Sequence, residues 1–552
     1  MLTKGACSCS RYVPSRALLW WSATVVTTAT SAPSTPPHIV LIYADDLGWG
    51  NVGWHRTAAT PSVATPHLDE MVSVGVELNR MYAYSFCAPS RAALFSGRLP
   101  QNVNSQNIRG ATYDAAHPEV GGQGVPRDMT AISQMLAQKD YYSVFAGKWD
   151  VGFATRAHTP VGRNYSSSLN YFFQINDYWN QKPTGSEGSA CNGHLTRVKP
   201  VEVVDLWHNG AAAASLNGTA FEEILLEAHM TNALRHYIAD VMPTGRPLFL
   251  HYAPHLVHDP YELPAPDLAR FDFIKTSAAG DVKGLRQIYA AMTNYLDRVV
   301  GNITAIMKAT PGGGKGTMWD NTLVVFASDN GGPIQGGSGA NNWPLRGGKL
   351  TTFEGGLRVN AFLSGGFIPI AARGTKLNHL MHVADIWATL ADAVGLPVAD
   401  PVAAASKLPA LDSISFWPQA IGANATAART ELLVNGVYYD GGGLKLWGGA
   451  TDAIWPGLLY PNASTNFTAN HATKLSCAKD GCLFDVGGAD AGEHVDLAAA
   501  RPTDVARMKA RAKSLAQANN YNPSRGSGLD VRACAAIDAS GGFWGPWADE
   551  EE

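Results

Sequence analysis

The sequence predicts an α/β fold: a large, mostly parallel mixed sheet flanked by helices, with a smaller C-terminal antiparallel α+β domain. Apolar runs of strand length recur and each ends in polar residues: His38–Tyr43, Pro247–Tyr252 and Leu323–Ala327. Between them, Met129–Gln138, Phe221–Asp240 and Leu285–Lys308 carry apolar residues at helical spacing. Strands apolar throughout, alternating with helices, belong to a parallel sheet covered on both faces, and ligands of such sheets collect at the strands' carboxyl ends. The third observation is a change of texture. After a helix-like His382–Leu390 the chain becomes rich in Gly and Pro, and Glu431–Asn435 and Gly443–Gly448 read as antiparallel strands with turn material at Asp440–Gly443. A chain of 552 residues exceeds the roughly 250–300 that one core supports. The larger domain is therefore placed at residues 36–394 and the smaller one at 395–552.

Composition narrows the function. A net charge of −4 and the lack of a long Lys/Arg run give no footprint for nucleic acid or for an anionic membrane surface. Lys4, Arg11 and Arg16, then the apolar stretch Ala17–Val26, then small residues up to Ala32, have the layout of a signal peptide spanning residues 1–32. The apolar stretch is too short for a stable membrane span. Removing the leader takes Cys7 and Cys9 with it and leaves Cys87, Cys191, Cys477, Cys482 and Cys534. Cys477 and Cys482 read as a pair closing a short loop through Asp480-Gly481. Six Asn-X-Ser/Thr sequons, at Asn164, Asn217, Asn302, Asn424, Asn462 and Asn466, agree with passage through the secretory pathway to a secreted or lysosome-like, vacuolar destination.

The polar residues at the strand ends suggest chemistry. The first strand runs into Asp45-Asp46, and the 323–327 strand into Ser328-Asp329-Asn330. Adjacent carboxylates repel unless a cation or a proton separates them, and this all-oxygen set suits Ca²⁺, or less well Mg²⁺. Turn and helix-cap chemistry explains either pair alone; both at equivalent strand ends favour a metal. Gly147-Lys148-Trp149, Leu345–Lys349 and Val257-His258-Asp259-Pro260 add Lys148, Lys349, an Arg and His258, a set that binds a tetrahedral anion when brought together. Cys87-Ala-Pro-Ser-Arg91 reads as a loop entering a helix, where N–H groups and the helix dipole lower a thiol pKa. A phosphatase-like thiolate loop needs Arg six residues on, and Ala93 stands there. The glycine tract Pro311–Lys315 lacks the Gly-Lys-Ser/Thr ending of a phosphate cradle.

Cys87, Pro89, Arg91, Leu94, Gly97 and Arg98 resemble the signature that marks a sulfatase cysteine for conversion to formylglycine (3-oxoalanine). The blocks Pro36–Gly50, Thr65–Asp69, Gly147–Trp149, Val257–Pro260, Ser328–Gly332, Asn342–Lys349 and Glu354–Arg358 follow the sulfatase family in order. Asn341–Lys349 and Phe543–Trp547 look most like the arylsulfatase B (N-acetylgalactosamine-4-sulfatase) branch. The resemblance implies an alkaline-phosphatase-like fold and one Ca²⁺ held by Asp45, Asp46, Asp329, Asn330 and residue 87. Arg91 would then hold the hydrated aldehyde, while Lys148, Lys349 and His258 grip the sulfate and the leaving oxygen. It further implies hydrolysis of a sulfate ester on a glycan or aryl alcohol, and a formylglycine-generating enzyme as a partner during maturation. With Cys87 converted, four cysteines remain for two disulfides. The arylsulfatase B branch carries a cysteine in the stretch equivalent to Asn102–Asp128, this chain has none there, and Cys191 becomes available to Cys534.

One departure concerns the chemistry directly. The family reads Gly-Lys-Trp-His-Leu-Gly, and this chain reads Gly147-Lys-Trp-Asp-Val-Gly152, placing Asp150 where the family's His helps to expel sulfate. Asp150 is read as a surrogate base, with impaired sulfate release and a catalytically weak sulfated-glycan binder as the other outcome. A phosphate or phosphonate monoester hydrolase of the same fold is the neighbouring alternative.

Overall fold

The computed structural model describes residue 1 and residues 36–56, 63–106, 110–184, 191–199, 202–274, 285–312, 316–334, 338–454, 472–477, 481–518, 521–522 and 528–548. The leader, Cys7, Cys9, the sequons at Asn462 and Asn466, and residues 313–315 of the glycine tract lie outside them.

Among the described residues, ten strands form one mixed sheet: β1 (His38–Ala44), β2 (Val76–Leu78), β3 (Tyr142–Lys148), β4 (Ser167–Tyr171), β5 (Trp207–His208), β6 (Ala211–Ala212), β7 (Leu248–Ala253), β8 (Thr322–Ser328), β9 (Ala361–Ser364) and β10 (Thr375–Leu377). Their spatial order is β10-β2-β9-β8-β1-β7-β3-β4-β5-β6. The centre, β8-β1-β7-β3-β4, is parallel, and antiparallel pairings begin at β9 on one side and β5 on the other. β1, β7 and β8 are buried along nearly their whole length, which is why they read as unbroken apolar runs.

Helices cover both faces. Ile39, Leu41 and Tyr43 of β1 pack in one core with α2 (Cys87–Ser96) and α5 (Asp385–Ala393), while Val40, Ile42 and Ala44 face α1 (Pro66–Ser73), α3 (Glu222–His236) and α4 (Leu285–Ala309). In α4 the buried residues Tyr289, Met292, Leu296, Val299, Ile303 and Met307 recur every three or four positions, one stripe of an amphipathic helix. No described helix is long and apolar enough to cross a membrane.

A separate C-terminal sheet orders β11 (Glu431–Val434), β12 (Val437–Asp440), β13 (Leu444–Trp447) and β14 (Cys482–Asp485), all antiparallel. The sequence-based reading places no strand between Asn435 and Gly443, and the structure corrects it with β12. The missed signal is Asn435-Gly436, a two-residue hairpin turn with φ of 51° and 72°, as the right-handed twist of paired strands requires. α6 (Pro502–Ala518) packs on this sheet and α7 (Val531–Ala539) carries Cys534. Disulfides join Cys191 to Cys534 and Cys477 to Cys482, and Cys87 is free.

Candidate active site

The parallel pairing of β1 with β8 sets Ala44 beside Ser328, so the residues after each strand meet. The Asp329 N–H donates to the Ala44 carbonyl at 3.0 Å, and the Asp46 N–H donates to Asp329 Oδ1 at 3.2 Å. Asp46 turns the chain with φ of 60°, a conformation Asp tolerates. Its carbonyl accepts from Tyr289 of α4 at 2.6 Å, and its Oδ1 accepts from Asn330 Nδ2 at 2.6 Å.

Helix α2 begins at Cys87 itself and places Arg91 one turn later on the same face. Both side chains are buried. Cys87 Sγ lies 3.5 Å from Asp45 Oδ1, and Arg91 reaches Asp329 Oδ2 through Nε at 3.0 Å and Nη2 at 2.8 Å. Lys148 closes β3. Gly147 before it has φ of 115°, and a Cβ there would run into the Ala253 carbonyl of β7, so only glycine brings the strand end this close. Lys148 Nζ donates to Asp45 Oδ2 at 2.7 Å.

Lys349 comes from a loop that Asn342 ties together, accepting from Trp49 and Gly332 N–H groups and donating to the Gly332 and Gly347 carbonyls. Lys349 Nζ donates to Asp46 Oδ2 at 2.8 Å and to His258 Nε2 at 2.8 Å. His258 Nδ1 lies 2.7 Å from the Asp259 carbonyl. One ligand atom each from Asp45, Asp46, Cys87 and His258 lies within 4.8 Å of all the others.

Charge governs the proton states. Burial alone would raise Asp45, but Lys148, His258, Arg91 and Lys349 together hold it well below the usual carboxylate range. Burial and the neighbouring Asp45 push Asp329 up to about 7. Burial, then Asp45, push the Cys87 thiol well up. The expected lowering by the helix terminus is thus overturned: desolvation and an adjacent carboxylate outweigh the dipole. An unmodified Cys87 is therefore a neutral thiol.

Asp150 is fully buried with φ of 50°. It lies on the Arg91 and Lys148 side, where its charge raises the pKa of both. The structure thus gathers Asp45, Asp46, Cys87, Arg91, Lys148, His258, Asp329, Asn330 and Lys349 at one end of the sheet. Sequence reasoning missed the groups that brace them. Glu223 Oε1 accepts the His255 N–H at 3.1 Å and Oε2 accepts Tyr252 Oη–H at 2.6 Å, fixing the start of the loop that carries His258. No local pattern marks it.

A protein-family model described as Sulfatase matches residues 37–396, more than half of the chain. Arylsulfatase J of Mus musculus is 27% identical over 551 residues, covering 95% of this chain and 82% of the relative. Arylsulfatase A of Bos taurus is 28% identical over 488 residues, covering 86% of each. A crystal structure described as Ps i-CgsB in complex with k-i-k-neocarrahexaose superposes with a TM-score of 0.68 at 25% identity, covering 92% of this chain and 98% of that one.

Proposed function

The chain belongs to the sulfatase family and is a sulfuric ester hydrolase, and from that premise we propose that residue 87, converted from Cys87 to formylglycine, is its nucleophile, with one calcium ion held by Asp45, Asp46, Asp329 and Asn330. The observation that carries this reading is the convergence of three carboxylates, three permanent cations and Cys87 at the carboxyl ends of parallel strands. The residues present fit a hard cation. All the donors are oxygens, and Asn330 Oδ1 is buried without a hydrogen-bond partner while its Nδ2 is held on Asp46. Bound there, a divalent ion supplies positive charge against the ester oxygens. The hydrated aldehyde supplies a hydroxyl for attack on sulfur, which the neutral, buried thiol does not.

The remaining roles fall to side chains already in place. Arg91, anchored on Asp329, orients residue 87. Lys148 and Lys349 take the sulfate oxygens, and His258 with Lys349 serves the leaving oxygen. Asp45, Asp46 and Asp329 lie against Lys148, Lys349 and Arg91, so a divalent ion held there would add the positive charge that favours an anionic ester. Such preorganised charge is usually the largest contribution to catalysis. Substrates are sulfated glycans or aryl sulfates, supported by the carrahexaose bound to the structural relative and by the arylsulfatase relatives. Motifs at 341–349 and 543–547 support an affinity to the arylsulfatase B branch. Two disulfides and the leader support maturation in the secretory pathway, where a formylglycine-generating enzyme would act on Cys87.

The test is the mass of the tryptic peptide containing residue 87, from protein matured in a secretory pathway, together with rates on an aryl sulfate and an aryl phosphate. Formylglycine at 87, with faster turnover of the sulfate, is the expected result. An unmodified thiol in an active enzyme would overturn the nucleophile assignment. Preference for the phosphate would favour the phosphate or phosphonate reading. Chelation is expected to lower kcat and Tm together, with calcium restoring both.

A further inference from the structure

We infer that Leu350, with Phe86, forms an apolar rim at the mouth of the site that takes the ring carrying the ester oxygen. The enzyme thereby selects sulfate esters of ring-bearing alcohols. This rests on the sulfate-ester reading above and goes beyond it in saying what the alcohol part of the substrate meets.

The sulfate end of the site is closed. The side chains of Lys148 and Asp45 are 0% exposed, Asp46 1% and Arg91 4%, whereas Lys349 is 15% exposed. An ester whose sulfate lies among these cations directs its alcohol outward past Lys349, on the side where Lys349 meets His258 at 2.8 Å.

Leu350 stands at that opening, in an unfavourable conformation. Lys349 and Leu350 are the central residues of the turn 348–351, closed by the Thr351 N–H on the Gly348 carbonyl at 3.0 Å. Leu350 has φ of 69° and Lys349 is not among the residues with positive φ. That is the pattern of a type II turn, whose third position ordinarily takes Gly or Asn. Among the described non-glycine residues with positive φ, Leu350 alone has a large apolar side chain. The side chain is 57% exposed, so packing does not offset the strain. An exposed leucine is ordinary by itself, but backbone strain left uncompensated gathers at functional sites.

A hydrogen bond ties this turn to the nucleophile's segment. The Leu350 N–H donates to the Ser85 carbonyl at 2.7 Å, two residues before Cys87. Ser85 Oγ in turn accepts from Asn435 Nδ2 at 2.9 Å, so the hairpin turn between β11 and β12 braces the same point. Phe86, the neighbour of residue 87, is half-buried, its ring edge-on to Tyr84 at 5.0 Å. Lys349 and residue 87 thus each have an apolar neighbour open to solvent, and one hydrogen bond holds the two segments together. Apolar contact is non-directional and grows with the area covered. It accepts an aryl ring or the apolar face of a pyranose, and a small ringless alcohol gains little from it.

Leu350→Asn and Leu350→Gly, with Leu350→Met as the conservative variant, test this in the full chain matured in a secretory pathway. KM for an aryl sulfate and for a pyranose sulfate is compared with the Ki of inorganic sulfate, which meets the same cations without a ring. In the Asn and Gly variants the KM-to-Ki ratio is expected to rise about tenfold, and in Leu350→Met to stay near wild type. Tm is expected to hold or rise in Leu350→Asn and Leu350→Gly, because both residues accept a left-handed position. An unchanged ratio overturns the proposal. So does a lowered Tm with KM and Ki rising together, which would make Leu350 a structural anchor of the Lys349 turn. A rise confined to one ester supports the proposal and identifies the ring, arene or sugar, that the rim takes. A wild-type chain that turns over neither ester sinks the sulfate-ester reading itself.

Discussion

Replacing Lys148 with Met is expected to lower kcat/KM on an aryl sulfate by roughly 10²- to 10³-fold, the effect of deleting one preorganised electrostatic contact in a water-poor site. Lys148 is fully buried, 2.7 Å from Asp45, and held in place by β3 pairing with β4 and β7. Its loss would remove the proposed cation from the sulfate and takes the nearest cation from buried Asp45, leaving Arg91 at 3.5 Å; breaking a buried pair costs up to about 3–5 kcal/mol. The two consequences separate on adding calcium. If the proposed ion binds beside Asp45 it would take over much of the neutralisation, so Tm is expected to recover while kcat/KM does not. Lys148→Arg is expected not to restore the rate, because a planar fork does not replace a compact charge in a closed pocket. Steady-state kinetics with parallel melting curves check both; a variant with unchanged kcat/KM would remove Lys148 from the site.

Most of the site was legible because it sits where short polar motifs end long apolar strands. Asp45 and Asp329 are 284 residues apart in the chain, yet each follows a strand whose apolar run announces it, and the β1–β8 register brings them together. Less legible were features that depend on contacts with no local pattern. His255 and Glu223 belong to a loop and a helix whose sequences give no reason to meet. The direction of the Cys87 thiol shift depends on how deeply α2 is buried and on Asp45, neither of which the flanking residues encode. The strand Val437–Asp440 differs: its signal, Asn435-Gly436, stands in the sequence, but Asp440–Gly443 offers a competing turn. Glu354–Arg358, part of the family pattern, carries no chemistry at residue 87; it anchors the loop that holds Lys349.

That anchor gives Lys445→Met an expected loss of stability of about 3–5 kcal/mol. Lys445 lies on β13, fully buried, 3.2 Å from Glu354 Oε1 and 2.8 Å from Glu493 Oε1. Glu354 also accepts from Tyr82 at 2.9 Å and Tyr439 at 3.1 Å, and Glu493 Oε2 accepts the Glu354 N–H at 2.6 Å. Removing the ammonium leaves two buried carboxylates facing one another. Burial already pushes Glu493 up to about 7 in spite of Lys445. A carboxyl raised in the folded state binds its proton more tightly than in the unfolded chain, so its contribution to stability falls as pH rises from its unfolded value through its folded one. Without Lys445 the folded value moves higher than the wild-type value of about 7, so the deficit against wild type is expected to grow as pH rises past it, from about pH 6 to about pH 9. The damage also reaches the chemistry. The Gly355 N–H holds the Arg346 carbonyl at 2.7 Å and Arg346 Nη1 donates to the Glu493 carbonyl at 3.2 Å, so loosening this cluster frees the 341–349 loop and, with it, Lys349. Denaturant unfolding at the two pH values and the KM for an aryl sulfate measure both effects; a pH-independent deficit with unchanged KM would mean that the cluster neither titrates nor holds the loop.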